Sequence, residues 1–181
     1  MSRTKGTGNV DQCTPPEILA AVRNVFGGFI GFDPCTNPHS ITDARHSFAL
    51  PRYEGRFQDD SRIEYTDALR EAWFAQGYIN PPFGRSYNKR WAKKIAYEGR
   101  HNEQIALVPA VPGAQWFYPL WSAKAICFLK HRLIFLNVPI NEKTGQVEPA
   151  DFDCCTAYFG NHVERFIEEF RHMGVIANRL S

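Results

Sequence analysis

The sequence predicts an α/β fold: a mixed, mostly parallel sheet with helices on both faces. Two observations carry this expectation. Short apolar runs suited to strands, at residues 29–32, 77–80, 104–108 and 125–129, alternate with segments whose apolar residues recur at helical spacing. The run Gln104-Ile105-Ala106-Leu107-Val108 shows no polar alternation after its first residue, as expected of a strand covered on both sides. In such sheets, ligands sit beyond the carboxyl ends of the strands.

Each element follows from local chemistry. Thr14, Pro15 and Glu17 form a capping-box pattern, and Ile18, Leu19, Val22, Val25 and Phe26 then mark one helix face, ended by Gly27-Gly28. The run 29–32 reads as a buried strand closed by Asp33-Pro34. Residues 36–66 are broken by Pro38, Pro51 and Gly55, and read as an irregular insertion with one short strand. A short helix is predicted over 68–74, a strand over 77–80, and a helix over 86–98 with Tyr87, Trp91 and Ile95 on one stripe. After the strand at 104–108 come a helical turn at 114–121 and strands at 125–129 and 133–136. Turn-forming residues 141–146 suggest a hairpin arm over 138–153, leading into a strand at 154–159. Asn161 is the expected cap of a last helix, with Val163, Phe166, Ile167, Phe170 and Met173 on its apolar face and Gly174 as its stop.

The chain has 181 residues, of which 44% are hydrophobic and 22% charged, enough for one substantial core, so a single domain over 11–181 is expected. Residues 1–10 are polar and read as a disordered tail without the apolar stretch of a signal peptide or membrane anchor. Five cysteines without a C-x-x-C pair argue against a disulfide framework and a zinc site, and no histidine spacing suggests a metal. A reducing cytoplasm fits this usage. A net charge of +2 is too slight to indicate a polyanionic partner without local clusters.

The strongest motif is Asn80-Pro81-Pro82-Phe83, at the end of a predicted strand. A planar amine is a poor nucleophile because its lone pair is delocalised, and it gains from acceptors held where the nitrogen becomes tetrahedral. The Asn80 side-chain oxygen and the Pro81 carbonyl are two such acceptors. Pro81 and Pro82 stiffen the turn, and Phe83 offers a ring for stacking. A rigid structural turn is the alternative reading of the tetrapeptide alone, and its position after an apolar strand counts against that alternative.

These residues, with Thr14-Pro15-Pro16-Glu17, Phe32-Asp33-Pro34-Cys35, Asp67-Ala68-Leu69 and Leu107-Val108-Pro109-Ala110 in the same order, resemble the phage-type Dam family of DNA N6-adenine methyltransferases. The resemblance implies a Rossmann-like class I methyltransferase fold and S-adenosylmethionine as methyl donor. It also implies double-stranded DNA as substrate, with the target adenine flipped against Phe83, and a phage or bacterial origin. Asn80, Pro81, Pro82 and Phe83 would be catalytic, and Thr14, Pro15, Asp33, Pro34, Asp67 and Asn80 would line the cofactor site. The glycine-rich loop that follows the first strand in many methyltransferases is absent, as in the family's Asp-Pro-Cys form.

Arg85, Lys89, Arg90 and Lys93 cluster on the helix after the motif and are the expected DNA-binding residues, although a solvated helix face accounts for many such runs. The insertion at 36–66 and the arm at 138–153 are further candidates for DNA contact. Two rivals stay open: methylation of a protein glutamine amide, which uses a similar turn, and a non-catalytic DNA-binding subunit of the same fold.

Overall fold

A computed structural model describes residues 11–58 and 60–178; the tail expected at 1–10 lies outside them. Eight strands form one sheet: β1 (Phe32–Thr36), β2 (His46–Ala49), β3 (Ile63–Tyr65), β4 (Gly77–Ile79), β5 (Gln104–Pro109), β6 (Ala125–Leu129), β7 (Cys154–Phe159) and β8 (Gly174–Asn178), in the order β3-β2-β1-β4-β5-β7-β6-β8. The first five are parallel, while β7 runs antiparallel to both β5 and β6, and β8 antiparallel to β6. The expected mostly parallel sheet is therefore present, with two strands reversed.

Helices cover both faces. α1 (Pro16–Val25) and α3 (Val163–Phe170) bury Ile18, Leu19, Val22 and Val25, and Phe166 and Phe170, against Tyr78, Ile105 and Leu107. On the opposite face α2 (Arg85–Glu98) and a 3-10 segment (Gln115–Ser122) bury Trp91, Ile95, Phe117 and Leu120 against Ile79, Ala106 and Val108. The two apolar sets alternate along β5, so one strand supplies both cores.

Several expectations need correction. α1 begins at Pro16 with Pro15 as its cap, and the Thr14 hydroxyl bonds Tyr78 Oη at 2.8 Å, so the capping box does not form. β1 spans Phe32–Thr36, so Asp33 and Pro34 lie within the first strand and not beyond it. Pro34 has no N–H for the ladder, and the pairing with β2 shifts register between Asp33 and Thr36. The supposed insertion supplies two full members of the sheet, β2 and β3. Residues 68–74 are turns and coil, residues 133–136 make one isolated bridge to Cys13, and His162 caps α3 where Asn161 was expected. Beyond Gly174 the chain forms β8. An antiparallel bridge between Asn141 and Gln146 closes the turn of the expected arm.

Candidate active site

The strand order determines which residues meet. β1 has β2 on one side and β4 on the other, so the chain winds away in opposite directions from this pair, and a crevice opens at their carboxyl ends. Pro34, Cys35 and Thr36 of β1 and Pro82 after β4 border that crevice, with Leu50 after β2 and Thr66 and Asp67 after β3. The cleft measures about 290 Å³, and Phe48, Tyr53, Leu69, Tyr87 and Trp91 give it apolar and aromatic walls.

The Asn80 turn is fixed from several directions. Asn80 Nδ2 donates to the backbone carbonyl of Gln12 at 3.1 Å, whereas its Oδ1 is buried and has no hydrogen-bond partner. Buried amide oxygens are rarely left unpaired; of the two such oxygens among the described residues, Gln104 Oε1 lies in β5, and Asn80 Oδ1 is the one at the turn after β4. Pro81 is buried, and Gly84 N donates to Asn88 Oδ1 at 3.0 Å, which ties the turn to α2. Phe83 is half-buried and edge-packed by Phe135 and Phe152, with centroids 5.9 and 5.3 Å away.

Asp33 is 4% exposed. Burial pushes its carboxyl up to about 6, opposed by the Cys35 N–H and by the hydroxyls of Thr42, Ser40 and Thr36. The Cys35 N–H reaches Asp33 Oδ1 at 2.8 Å. Among the described residues no cation pairs with this carboxylate, so its ionised form lacks a counter-charge and favours a positively charged guest. Beside it, burial raises the Cys35 thiol well above its usual range, helped by the Asp33 charge and opposed by the backbone N–H of Asn80. Tyr78 is raised by burial in the same way. Asp33, Cys35, Tyr78 and Asn80 thus form one cluster.

The predicted residues divide accordingly. Pro34, Asp67, Pro82 and Arg90 line the cleft; Asp33 and Asn80 belong to the cluster at its edge; Thr14 is held on Tyr78, and Pro15 caps α1. Asp67 Oδ1 accepts from Leu69 N at 3.1 Å, and its Oδ2 lies 3.5 Å from Arg70 Nε. Lys89 and Lys93 are exposed on α2 outside the cleft, and the Arg85 side chain lies outside the described residues.

Arg52, within the segment expected to contact DNA, lies in the cleft wall, and sequence reasoning missed Tyr53 and Tyr87 beside it. Pro51 is the signal for Tyr53: it follows a short β-type run, and a proline there marks the end of a strand, where ligand-facing residues belong. Arg52 stacks on Tyr53 at 4.8 Å and donates to its hydroxyl at 2.8 Å, and that hydroxyl donates to Asp11.

Among the described residues no three His, Cys, Asp or Glu side chains converge as a metal site, and no helix is long and apolar enough to cross a membrane. A family model described as DNA N-6-adenine-methyltransferase (Dam) matches residues 57–179, more than half of the chain, including the Asn80 turn and α2. No curated protein matches the chain.

Proposed function

The chain belongs to the DNA N-6-adenine-methyltransferase (Dam) family, and from that premise we propose that it methylates the exocyclic N6 of an adenine flipped out of duplex DNA, using S-adenosylmethionine within a Rossmann-like class I domain. The observation that carries the reading is the unpartnered Asn80 Oδ1 beside the crevice between β1 and β4. An adenine amine is the kind of donor that this oxygen lacks.

The residues present fit the methyl donor. It would supply an electrophilic methyl on a cationic sulfur, with an ammonium and an adenine at its two ends. Asp33 is the buried anion suited to the ammonium. Pro34 and the hydroxyl-bearing Thr36 offer adjoining surface, and the aromatic wall with Asp67 suits an adenine ring and its amine. Thr14 and Pro15 act at one remove, through Tyr78 and the start of α1.

The chain's own part in the reaction is orientation. Asn80 Oδ1 accepts one hydrogen of the target amine and the Pro81 carbonyl accepts the other, which localises the nitrogen lone pair as the centre becomes tetrahedral. Because Gln12 holds Asn80 Nδ2, the amide presents its oxygen and not its nitrogen. Pro82 keeps the turn rigid, and Phe83, braced by Phe135 and Phe152, gives the flipped base an aromatic neighbour. Arg85, Lys89, Arg90 and Lys93 bring positive charge to the DNA backbone along α2, with the segments at 36–66 and 138–153 as further contact regions. The two buried groups, Asp33 and Asn80, favour an active enzyme over a non-catalytic subunit, and the family match favours DNA over a protein amide.

The test is to incubate the protein and its Asn80→Ala variant with methyl-labelled S-adenosylmethionine and mixed-sequence duplex DNA, then digest and identify the labelled nucleoside. N6-methyladenine is expected, reduced about 100-fold in the variant, the scale of losing one preorganised polar contact. Label on cytosine, or equal activity in the variant, overturns the mechanism.

A further inference from the structure

A second surface lies away from the cleft. Lys93 and Tyr97 of α2, Arg100 just beyond it, and Tyr118 and Trp121 of the 3-10 segment line an open groove of about 510 Å³. This groove shares Ala96, Arg100 and Ser122 with a neighbouring hollow of about 490 Å³ that adds His101, Lys124 and His162. The two make one continuous channel.

Its composition is unusual for a solvated surface. Three aromatic rings stand open to water: Tyr97 at 58% exposure, Tyr118 at 60% and Trp121 at 40%. Tyr118 and Trp121 are three residues apart on a 3-10 segment and so project along one line. Trp121 packs edge-on against Phe117 at 5.5 Å, which gives it a fixed platform. The groove has no acidic lining residue. The hollow has one, Glu103, whose carboxylate accepts the Tyr158 hydroxyl at 2.6 Å. Among the described residues no carboxylate pairs with Lys93, Arg100 or Lys124.

Unpaired cations interleaved with exposed rings suit a single nucleic-acid strand, whose phosphates need charge and whose unpaired bases need flat faces. Tyrosine, tryptophan and arginine also occur at protein interfaces, but lysine is depleted there, and Lys93 in the groove with Lys124 in the hollow favours the nucleic-acid strand. We propose that this channel binds single-stranded DNA, with phosphates on Lys93, Arg100 and Lys124 and bases stacked on Tyr97, Tyr118 and Trp121. The inference rests on the reading of the chain as a DNA enzyme and gives it a second DNA surface beside the duplex site at the cleft, with Lys93 at the boundary between the two. Arg90 and Lys93, three residues apart on α2, link the two, since Arg90 lines the cleft and Lys93 the groove.

The test measures fluorescence anisotropy of a labelled oligothymidylate of about twenty nucleotides, alongside methyl transfer to a short duplex by the same samples. The Tyr118→Ala/Trp121→Ala double variant is expected to lose about tenfold or more in affinity for the single strand while methylating the duplex at the wild-type rate. Arg100→Glu, at an exposed position, supplies a variant without core contacts and is expected to weaken binding too. Removing Arg100 and Lys124 together should flatten the salt dependence of the binding constant by about 1.4 in log–log slope. Unchanged oligonucleotide affinity in these variants overturns the proposal. So does a loss confined to duplex methylation, or a concentration-dependent dimer that the variants abolish. A wild-type protein that binds the single strand through this channel yet methylates no DNA would refute the proposed function and leave this inference standing.

Discussion

Asn80 carries both a functional and a thermodynamic prediction, and they point in opposite directions. Asn80→Ala removes the Nδ2 bond to the Gln12 carbonyl, worth about 1 kcal/mol, but also removes a buried oxygen whose unmet hydrogen bond costs about 1–3 kcal/mol. The melting midpoint of the variant should therefore match or exceed that of the wild type even as methyl transfer collapses; a large loss of stability would mean that Oδ1 is paired in solution. Asp33 behaves in a related way. Its folded-state pKa, about 6, lies above its value of about 3.9 in an unfolded chain, so its contribution to stability is fully present below pH ~4 and is lost as pH rises through ~6. Asp33→Asn should stabilise the cofactor-free protein at pH 8 by an amount on the order of 2–3 kcal/mol and leave it little changed near pH 3, as read by denaturant titration at the two pH values. The same substitution should weaken S-adenosylmethionine binding at pH 8, because the ammonium loses its counter-charge. Wild-type affinity should likewise fall as pH drops through ~6 and a proton takes the ammonium's place.

Gly174, the first residue of β8, shows how tightly one element constrains another. A Cβ there would meet the Phe128 carbonyl oxygen at 2.1 Å and Cys127 Sγ at 2.7 Å, both on β6, so Gly174→Ala must push two paired strands apart. Gly27 has φ +83° but nothing within 4 Å of an added Cβ, so Gly27→Ala pays only the left-handed backbone penalty, about 1–2 kcal/mol. Chemical denaturation of the two variants should rank Gly174→Ala as clearly the more damaging, and the reverse order would contradict the β6–β8 contact. What the sequence made legible at this scale follows the same division between local and long-range causes. β4, β5, β6, β7 and the three helices announce themselves by apolar runs or helical periodicity. β2 and β3 do not: they have four and three residues, and they exist because each pairs with a neighbouring strand. Residues 68–74 mimic helical spacing, yet their backbone is satisfied from afar. Trp73 N donates to Glu98 Oε2 at 3.3 Å, its carbonyl accepts from Asn102 Nδ2 at 3.0 Å, and the Glu71 carbonyl accepts from Lys94 Nζ at 2.6 Å. Residues 133–136 do keep strand alternation, with Leu133 and Phe135 buried and Ile134 and Leu136 exposed, but have only the single bridge to Cys13. The candidate site was legible where chemistry is rare in sequence, at Asp33 and Asn80. It was hidden where a common residue gains its place from topology, as with Tyr53 and Tyr87.

Across the whole molecule, the short segment before α1 joins parts that no sheet pairing connects. The Gln12 carbonyl orients Asn80, the Asp11 side chain receives the Tyr53 hydroxyl of the cleft wall, and the Thr14 hydroxyl meets Tyr78 on β4. Cys13 exchanges backbone bonds with Leu136 at 3.0 and 2.8 Å, and Asn137 Nδ2 donates to the Asp11 carbonyl at 3.2 Å, which anchors the base of the 138–153 arm. Cys13 and the Thr14–Tyr78 bond are buried against the core, whereas Asp11 and Gln12 are only half-buried, so these two residues contribute to geometry more than to stability. Replacing residues 1–12 by a single initiator methionine removes the acceptor for Asn80 Nδ2, the partner of Tyr53 and the tie to Asn137, while keeping Cys13 with its bridge to Leu136 and the residues of all the described strands and helices. The truncated protein should keep its circular dichroism spectrum and lose only a few degrees of melting temperature. Its kcat for DNA methylation should nevertheless fall about 100-fold, because displacing reacting groups by about 1 Å costs that much. A truncated protein that turns over at the wild-type rate would show that the amide of Asn80 holds its orientation without Gln12; one that loses its fold would show that the segment is a structural member of the sheet.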